Sequence, residues 1–205
     1  MGRAPFKAIP LFLPLAMILA SGSARADEPT PPKHYFYKGY DYGSQALYNP
    51  LYVFLNRGFD IFQLRPNNSL FDQNWRLNSG NVADNMAHPF SAIGSEGWGK
   101  WLKEEIFPLT YGLHGARWAP NYGLHLVGGR QTFAMLSEWY DAHGVPLPAL
   151  FSIATLFTAA FVNESLENKD VKGVNTDCLA DLYVFDVLGV LLFSSDTVRG
   201  FSAST

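Results

Sequence analysis

PLPALFSIATLFTAAFVNESLENKDVKGVNTDCLADLYVFDVLGVLLF, residues 146–193, is the stretch whose reading decides the fold. It reads as two apolar helices, 146–162 and 178–193, joined by an acidic, Asn-rich turn at 163–177. Both runs are too apolar for the surface of a small water-soluble protein. The rest of the chain must therefore cover them, or they must sit with it at a membrane. The first run has 17 residues, about 25 Å of helix, against a hydrocarbon core of about 30 Å. A straight span is marginal, and the second run is shorter and carries Asp181 and Asp186. The pair is therefore expected to pack as a compact hairpin against a helix at 124–143, buried in protein or half-inserted, and not as two independent spans. Leu156 and Leu188 are expected in the packed centre.

Working outward, helices are also expected at 51–64, 124–143, 149–167 and 178–193, with little strand. Asn49 followed by Pro50 is a helix-start pair: an Asn side chain caps free N–H groups, and Pro fits the first turn. Gly144 ends the helix at 124–143, with Pro146 just beyond it. Residues 69–85 read as polar and irregular, anchored by Trp75. His34 to Tyr42 alternates aromatic and polar residues, as a short strand or an interfacial collar would. Gly94, Gly97 and Gly99 suit either close backbone contact or a flexible loop. No series of ten-residue alternating segments occurs, so a complete outer-membrane barrel is excluded for this chain. The fold class expected is mainly α: a compact helical bundle with an apolar helical hairpin, membrane-associated.

Residues 1–26 read as a secretory signal. Arg3 and Lys7 flank an apolar run at 9–20, and Ala24-Arg25-Ala26 forms a small-residue cleavage site. Residues 27–48 then form a linker and aromatic segment, and 49–205 a single helical domain. Removing the signal leaves 12 basic against 18 acidic residues, a net charge of −6. That balance disfavours nucleic acid and acidic surfaces as partners. Charged residues make up 16% of the chain and aromatics 15%, against a usual charged share of about 25%. Such a composition suits a membrane or interfacial protein, and also a dense soluble core; with the signal, the partner expected is membrane lipid or an envelope protein. Cys178 is the only cysteine, so no internal disulfide can form, and it reads as a small buried hydrophobe.

The chemistry concentrates in the acidic turn. Glu164 and Glu167 are three residues apart and share a helical face; Asp177 and Asp181, four apart, share another. A hairpin would bring these four carboxylates together near one end. They could then bind a divalent cation or raise one carboxyl pKa. The plainer alternative is that Glu164, Glu167 and Asp177 cap helix ends or face water. Asp186 lies about 180° from Asp177 on an ideal helix and is expected to point elsewhere. Asp181 and Asp186, inside an apolar stretch, are either functional buried groups or residues of an exposed edge. Among the histidines, His88 is the best candidate, standing near Asp84, Asn85 and the glycines. His143 suits a helix end. His125 has open space at Gly128-Gly129, and it shares no helical face with Glu138. His34 and His114 suggest no partner. The weak catalytic candidates are thus His88, Glu164, Glu167, Asp177 and Asp181, with metal and cofactor unknown. No Ser nucleophile elbow, phosphate loop, zinc spacing or dinucleotide fingerprint occurs.

DNMAHPF at 84–90, followed by a Gly-rich segment, resembles an uncharacterised family of exported bacterial envelope proteins. That family carries an Asn-x-x-x-His-Pro type motif ahead of a small-residue helical region and a Glu-rich helix. Here two residues, not three, separate Asn85 from His88. FVNESLENKDVKGVNTD and the apolar run after it look like the family's later region. The likeness covers roughly residues 72–193. It implies an envelope location, the periplasm or outer membrane, and no reaction. Family members often continue further downstream, so it also implies either a truncated frame or a stand-alone helical relative. Two functions follow as expectations. One is an exported helical protein of structural or interaction role. The other is a lipid-processing or metal-dependent envelope enzyme using His88 and the acidic turn.

Overall fold

The computed structural model describes residues 33–60, 70–108 and 119–204. The expected signal at 1–26, residues 27–32, the far end of the expected helix at 51–64, and His114 lie outside them. The described residues are mainly helical, with no strand among them.

Helix α1 spans Pro50–Gly58 and begins as the sequence implies: the Asn49 side chain accepts the Tyr52 N–H at 3.0 Å. A short turn, Leu70–Asp72, precedes α2, Trp75–Ala87. The irregular segment expected at 69–85 is therefore mostly helix. Asn74 caps it by accepting the Leu77 N–H. Its polar residues form a working face: Asn78, Asn81 and Asn85 recur at helical spacing and bind residues 168–175. Helix α3, Pro89–Glu96, starts at the His88-Pro89 step. Helix α4 runs as Trp98–Trp101 and then widens into a π-helical turn, Leu102–Ile106. Gly97 between them has φ +102°, a conformation glycine tolerates, and no side chain approaches Gly97 or Gly99 closely.

Helix α5 combines a π segment, Ala119–Gly128, with a regular part, Gly129–Ala142. Gly144 follows with φ +70°, the left-handed C-terminal position expected of it. Helix α6, Pro148–Glu167, covers most of the first apolar run and continues through 163–167, so the turn expected at 163–177 begins only after Glu167, as the helix expected at 149–167 implies. Helix α7 covers Asp177–Phe193, with a π segment, Ala180–Phe185, inside it. Helix α8, Asp196–Ser202, departs from α7 at 89°.

Helix α6 is the centre of the packing and meets α1, α2 and α5. Gly58 is what lets α1 come close: a Cβ there would lie 3.4 Å from the Ala159 carbonyl oxygen. Helix α5 touches both α6 and α7, and α6 meets α7 at its π segment. The expected three-helix packing is thus present, with both apolar helices lying against α5. Leu156 is 3% exposed, as expected, beside Ile153 and Ala159. Leu188 is 47% exposed, so its expected place in the packed centre is wrong. Leu188, Leu191 and Leu192 form an outward stripe on α7, while Val190 and Phe193 face inward. Uniform apolarity hid which face was buried. By length and composition α6 could cross a membrane, but 44% of its apolar window is buried by its neighbours.

The aromatic segment 34–42 is not a strand. The backbone N–H groups of Tyr35, Phe36 and Tyr37 all donate to the Glu138 carboxylate of α5, at 2.9, 2.7 and 2.9 Å. Phe36 and Tyr37 are buried beneath that strap.

Candidate metal centre

The loop 168–175 between α6 and α7 is held by the asparagine face of α2. Asn78 accepts from the Asp170 N–H at 2.8 Å and from Asn168 Nδ2 at 3.1 Å. Asn81 accepts the Gly173 N–H and donates to Asn168 Oδ1, both at 2.9 Å. Asn85 accepts the Asn175 N–H at 3.0 Å and donates to the Gly173 carbonyl at 2.8 Å. Buried amides are costly when unpaired, about 1–3 kcal/mol each. This ladder therefore fixes one loop geometry, with Lys169 and Asp170 at positive φ. Thr176 adds a hydroxyl donation to Glu96, and its carbonyl accepts from Trp101 Nε1. The loop in turn sets the end of α6, with Glu164, against the start of α7, with Asp177 and Asp181.

Within α7 the π segment changes which residues share a face. The Asp186 N–H bonds to the Asp181 carbonyl, five residues back. In a regular α-helix residues five apart point about 140° away from each other. With five-residue bonding they stand one turn apart. Asp181 and Asp186 consequently both face α5, which corrects the expectation that Asp186 points elsewhere. On α5 the π segment is pinned by Asn121 Nδ2 to the Glu105 carbonyl at 2.9 Å and by the Tyr122 hydroxyl to the Ile106 carbonyl at 2.6 Å. Tyr122 also meets Phe185 edge to face at 4.9 Å. Three residues beyond Tyr122 stands His125.

The His125 ring lies between the two carboxylates. Its Nε2 is 3.7 Å from Asp181 Oδ2, and its Nδ1 is 3.5 Å from Asp186 Oδ1. The side chains are 16%, 8% and 2% exposed for His125, Asp181 and Asp186. Glu164 arrives from α6 and is buried. One ligand-type atom from each of His125, Glu164 and Asp181 falls within 4.8 Å of the others. Oδ1 of Asp181 is buried and makes no hydrogen bond. Burial pushes the Glu164 carboxyl well above its usual range, and the nearby Asp181, Glu167, Asp177 and Asp60 carboxylates push it further. Burial likewise raises Asp181 to about 7; His125 opposes that rise while Asp177 and Glu167 add to it. Glu167, one turn beyond Glu164, accepts from Asn163 Nδ2 at 2.8 Å. It is raised by burial first and by Asp177 next. Burial also raises the Cys178 thiol, with Glu164, Asp177 and Asp181 adding to the effect, so it remains a thiol. The centre is thus a cluster of crowded carboxylates with the basic ring of His125 set against them.

Of the residues singled out from sequence, Glu164, Glu167, Asp177 and Asp181 do converge. Glu164 does not face water: it is buried in the last turn of α6, on the side turned to Asp181, while Glu167 and Asp177 stay on the wetter side. His88 does not join them. It is 67% exposed, and its polar contacts are with its own turn: the Asp84 carbonyl at 3.1 Å and carboxylate at 3.4 Å. The missing members were His125 and Asp186. A lone His in a Gly-rich apolar stretch gives little signal, and a π turn has no sequence mark that separates Asp186 from an ordinary outward acid. His34, without a nameable partner in sequence, pairs with Asp141 at 2.7 Å. His143 stacks on Trp139 at a centroid distance of 3.8 Å. Asn85, the residue that carried the family resemblance, is a loop clamp.

No protein-family model matches the chain, and neither the curated proteins nor the solved structures yield a match.

Proposed function

We propose that this chain is an exported, membrane-associated helical protein of the cell envelope whose His125–Glu164–Asp181 centre holds one divalent cation. The observation that carries this reading is the convergence of three ligand-type groups from three helices within 4.8 Å. A cation would balance the charge of the buried Glu164 and Asp181 carboxylates and give Asp181 Oδ1 a partner. Imidazole with carboxylate oxygen suits zinc, iron or manganese better than calcium or magnesium. Metal–ligand bonds of about 2.1 Å place tetrahedral ligand atoms about 3.4 Å apart. The three side chains therefore draw in by roughly 1 Å on loading, within the reach of small rotations. Three protein ligands leave room for water, which is the pattern of catalytic sites. This favours a metal-dependent envelope enzyme with His125 in the place first given to His88.

Support for the envelope location is the signal-type start of the chain and the resemblance at 84–90. Support for membrane association is the apolar surface: Leu51 and Leu55 on α1, and Leu188, Leu191 and Leu192 on α7, are each about half exposed. The same stripes favour a second reading, an interaction role in which the cation is structural.

Native mass spectrometry of protein extracted from the envelope fraction, with zinc, manganese or magnesium supplied, tests the reading. One equivalent of zinc or manganese is expected on the parent chain, and none on His125→Ala or Asp181→Asn. Equal uptake by all three proteins, or recovery of the parent only from the cytoplasm, contradicts it.

A further inference from the structure

We infer that Asp186 is the positioning carboxylate of this centre: it holds the His125 ring so that Nδ1 carries the proton and Nε2 is left free to ligate. This rests on the metal reading of the centre and adds a residue to it.

His125 can present either nitrogen to a cation, and the hydrogen bond made by the other nitrogen decides which. Here the two nitrogens face different groups. Nε2 points to Asp181, which belongs to the converging set with Glu164. Nδ1 points to Asp186, 3.5 Å away and outside that set. Asp186 is 1% exposed, so water does not compete for the ring. Its placement is built in by the backbone: the π turn at Ala180–Phe185 sets Asp186 one turn below Asp181 on the same side of α7. One helix thus supplies a cation ligand and, one turn on, a carboxylate for the far nitrogen of the imidazole. A carboxylate behind a ligating histidine fixes ring orientation and strengthens the ligand. The 3.5 Å contact is long for a hydrogen bond. Contacts of this kind shorten when the site is loaded.

The test has two readouts on the full mature protein. Long-range nitrogen–proton NMR of histidine-labelled parent protein is expected to show His125 protonated at Nδ1, before and after zinc is added. Asp186→Asn is expected to weaken zinc binding 10- to 100-fold, measured against a competing chelator, and to mix the two tautomers. Asp186→Glu, which keeps the carboxylate, is expected to recover most of the affinity. A parent His125 protonated at Nε2 overturns the inference whether or not the variants fold. Parent-like zinc affinity in Asp186→Asn, with the tautomer unchanged, overturns it too. Failure of the parent to bind zinc, with Nδ1 still protonated, removes the metal reading and leaves the orienting role of Asp186 standing.

Discussion

Leu156→Asp is expected to abolish accumulation of the protein, while Leu188→Asp leaves it near the parent level. Leu156 is 3% exposed on α6, the helix that α1, α2 and α5 all meet. A carboxylate there either ionises without a partner or takes a proton and still lacks hydrogen bonds. Either way the cost is several kcal/mol, against a total stability of about 5–15 kcal/mol for a typical domain. Removing the leucine's own packing adds to that cost, about 2–5 kcal/mol by analogy with Leu→Ala changes. Leu188 has nearly half its surface outside, so an Asp there reaches water. Immunoblots of envelope fractions, with thermal unfolding of whatever accumulates, check both. Normal levels of Leu156→Asp would mean that α6 is not the central helix.

The second large effect is on stability against pH. The folded chain holds protons on Glu164 and Asp181 that the unfolded chain has lost. For Asp181 the folded value is about 7 against an ordinary 3.8. Between those values the native state binds more protons, so the metal-free protein loses stability as pH rises through the window. Asp181 alone accounts for roughly 4 kcal/mol across it, at about 1.4 kcal/mol per unit. Glu164 shifts in the same direction. Melting of chelator-treated protein should therefore fall between pH 5 and pH 8. Zinc at 100 times its dissociation constant should raise stability at pH 8 by about 2.7 kcal/mol. Asp181→Asn should reduce the pH dependence to the share that Glu164 keeps through its burial, and remove the zinc response. Melting that climbs with pH in the metal-free parent would contradict the carboxylate crowding itself.

Much of the architecture is legible in the residues alone. Asn49-Pro50 starts a helix, Gly144 ends one, and the helix expected at 149–167 matches α6 within a residue. These features act locally, through caps, φ preferences and periodicity. Helix α2 escaped notice because its asparagines suggest a loop by propensity. Their role appears only when residues 168–175, nearly ninety positions away, supply the partners. The acids of the turn were legible as a group, since their spacing fixes their faces. Asp186 and His125 were not, because each depends on a π segment that shifts the face of a helix without changing its composition. Leu188 shows the same limit for packing: where every residue is apolar, periodicity no longer says which side is buried.

X-ray absorption at the zinc edge of the loaded mature protein tests the central claim most directly. One nitrogen scatterer with imidazole outer-shell features and two or more oxygens at about 2.0–2.2 Å is the predicted spectrum, lost in His125→Ala. A sulfur scatterer at about 2.3 Å, or a shell of oxygen alone that His125→Ala leaves unchanged, would contradict it.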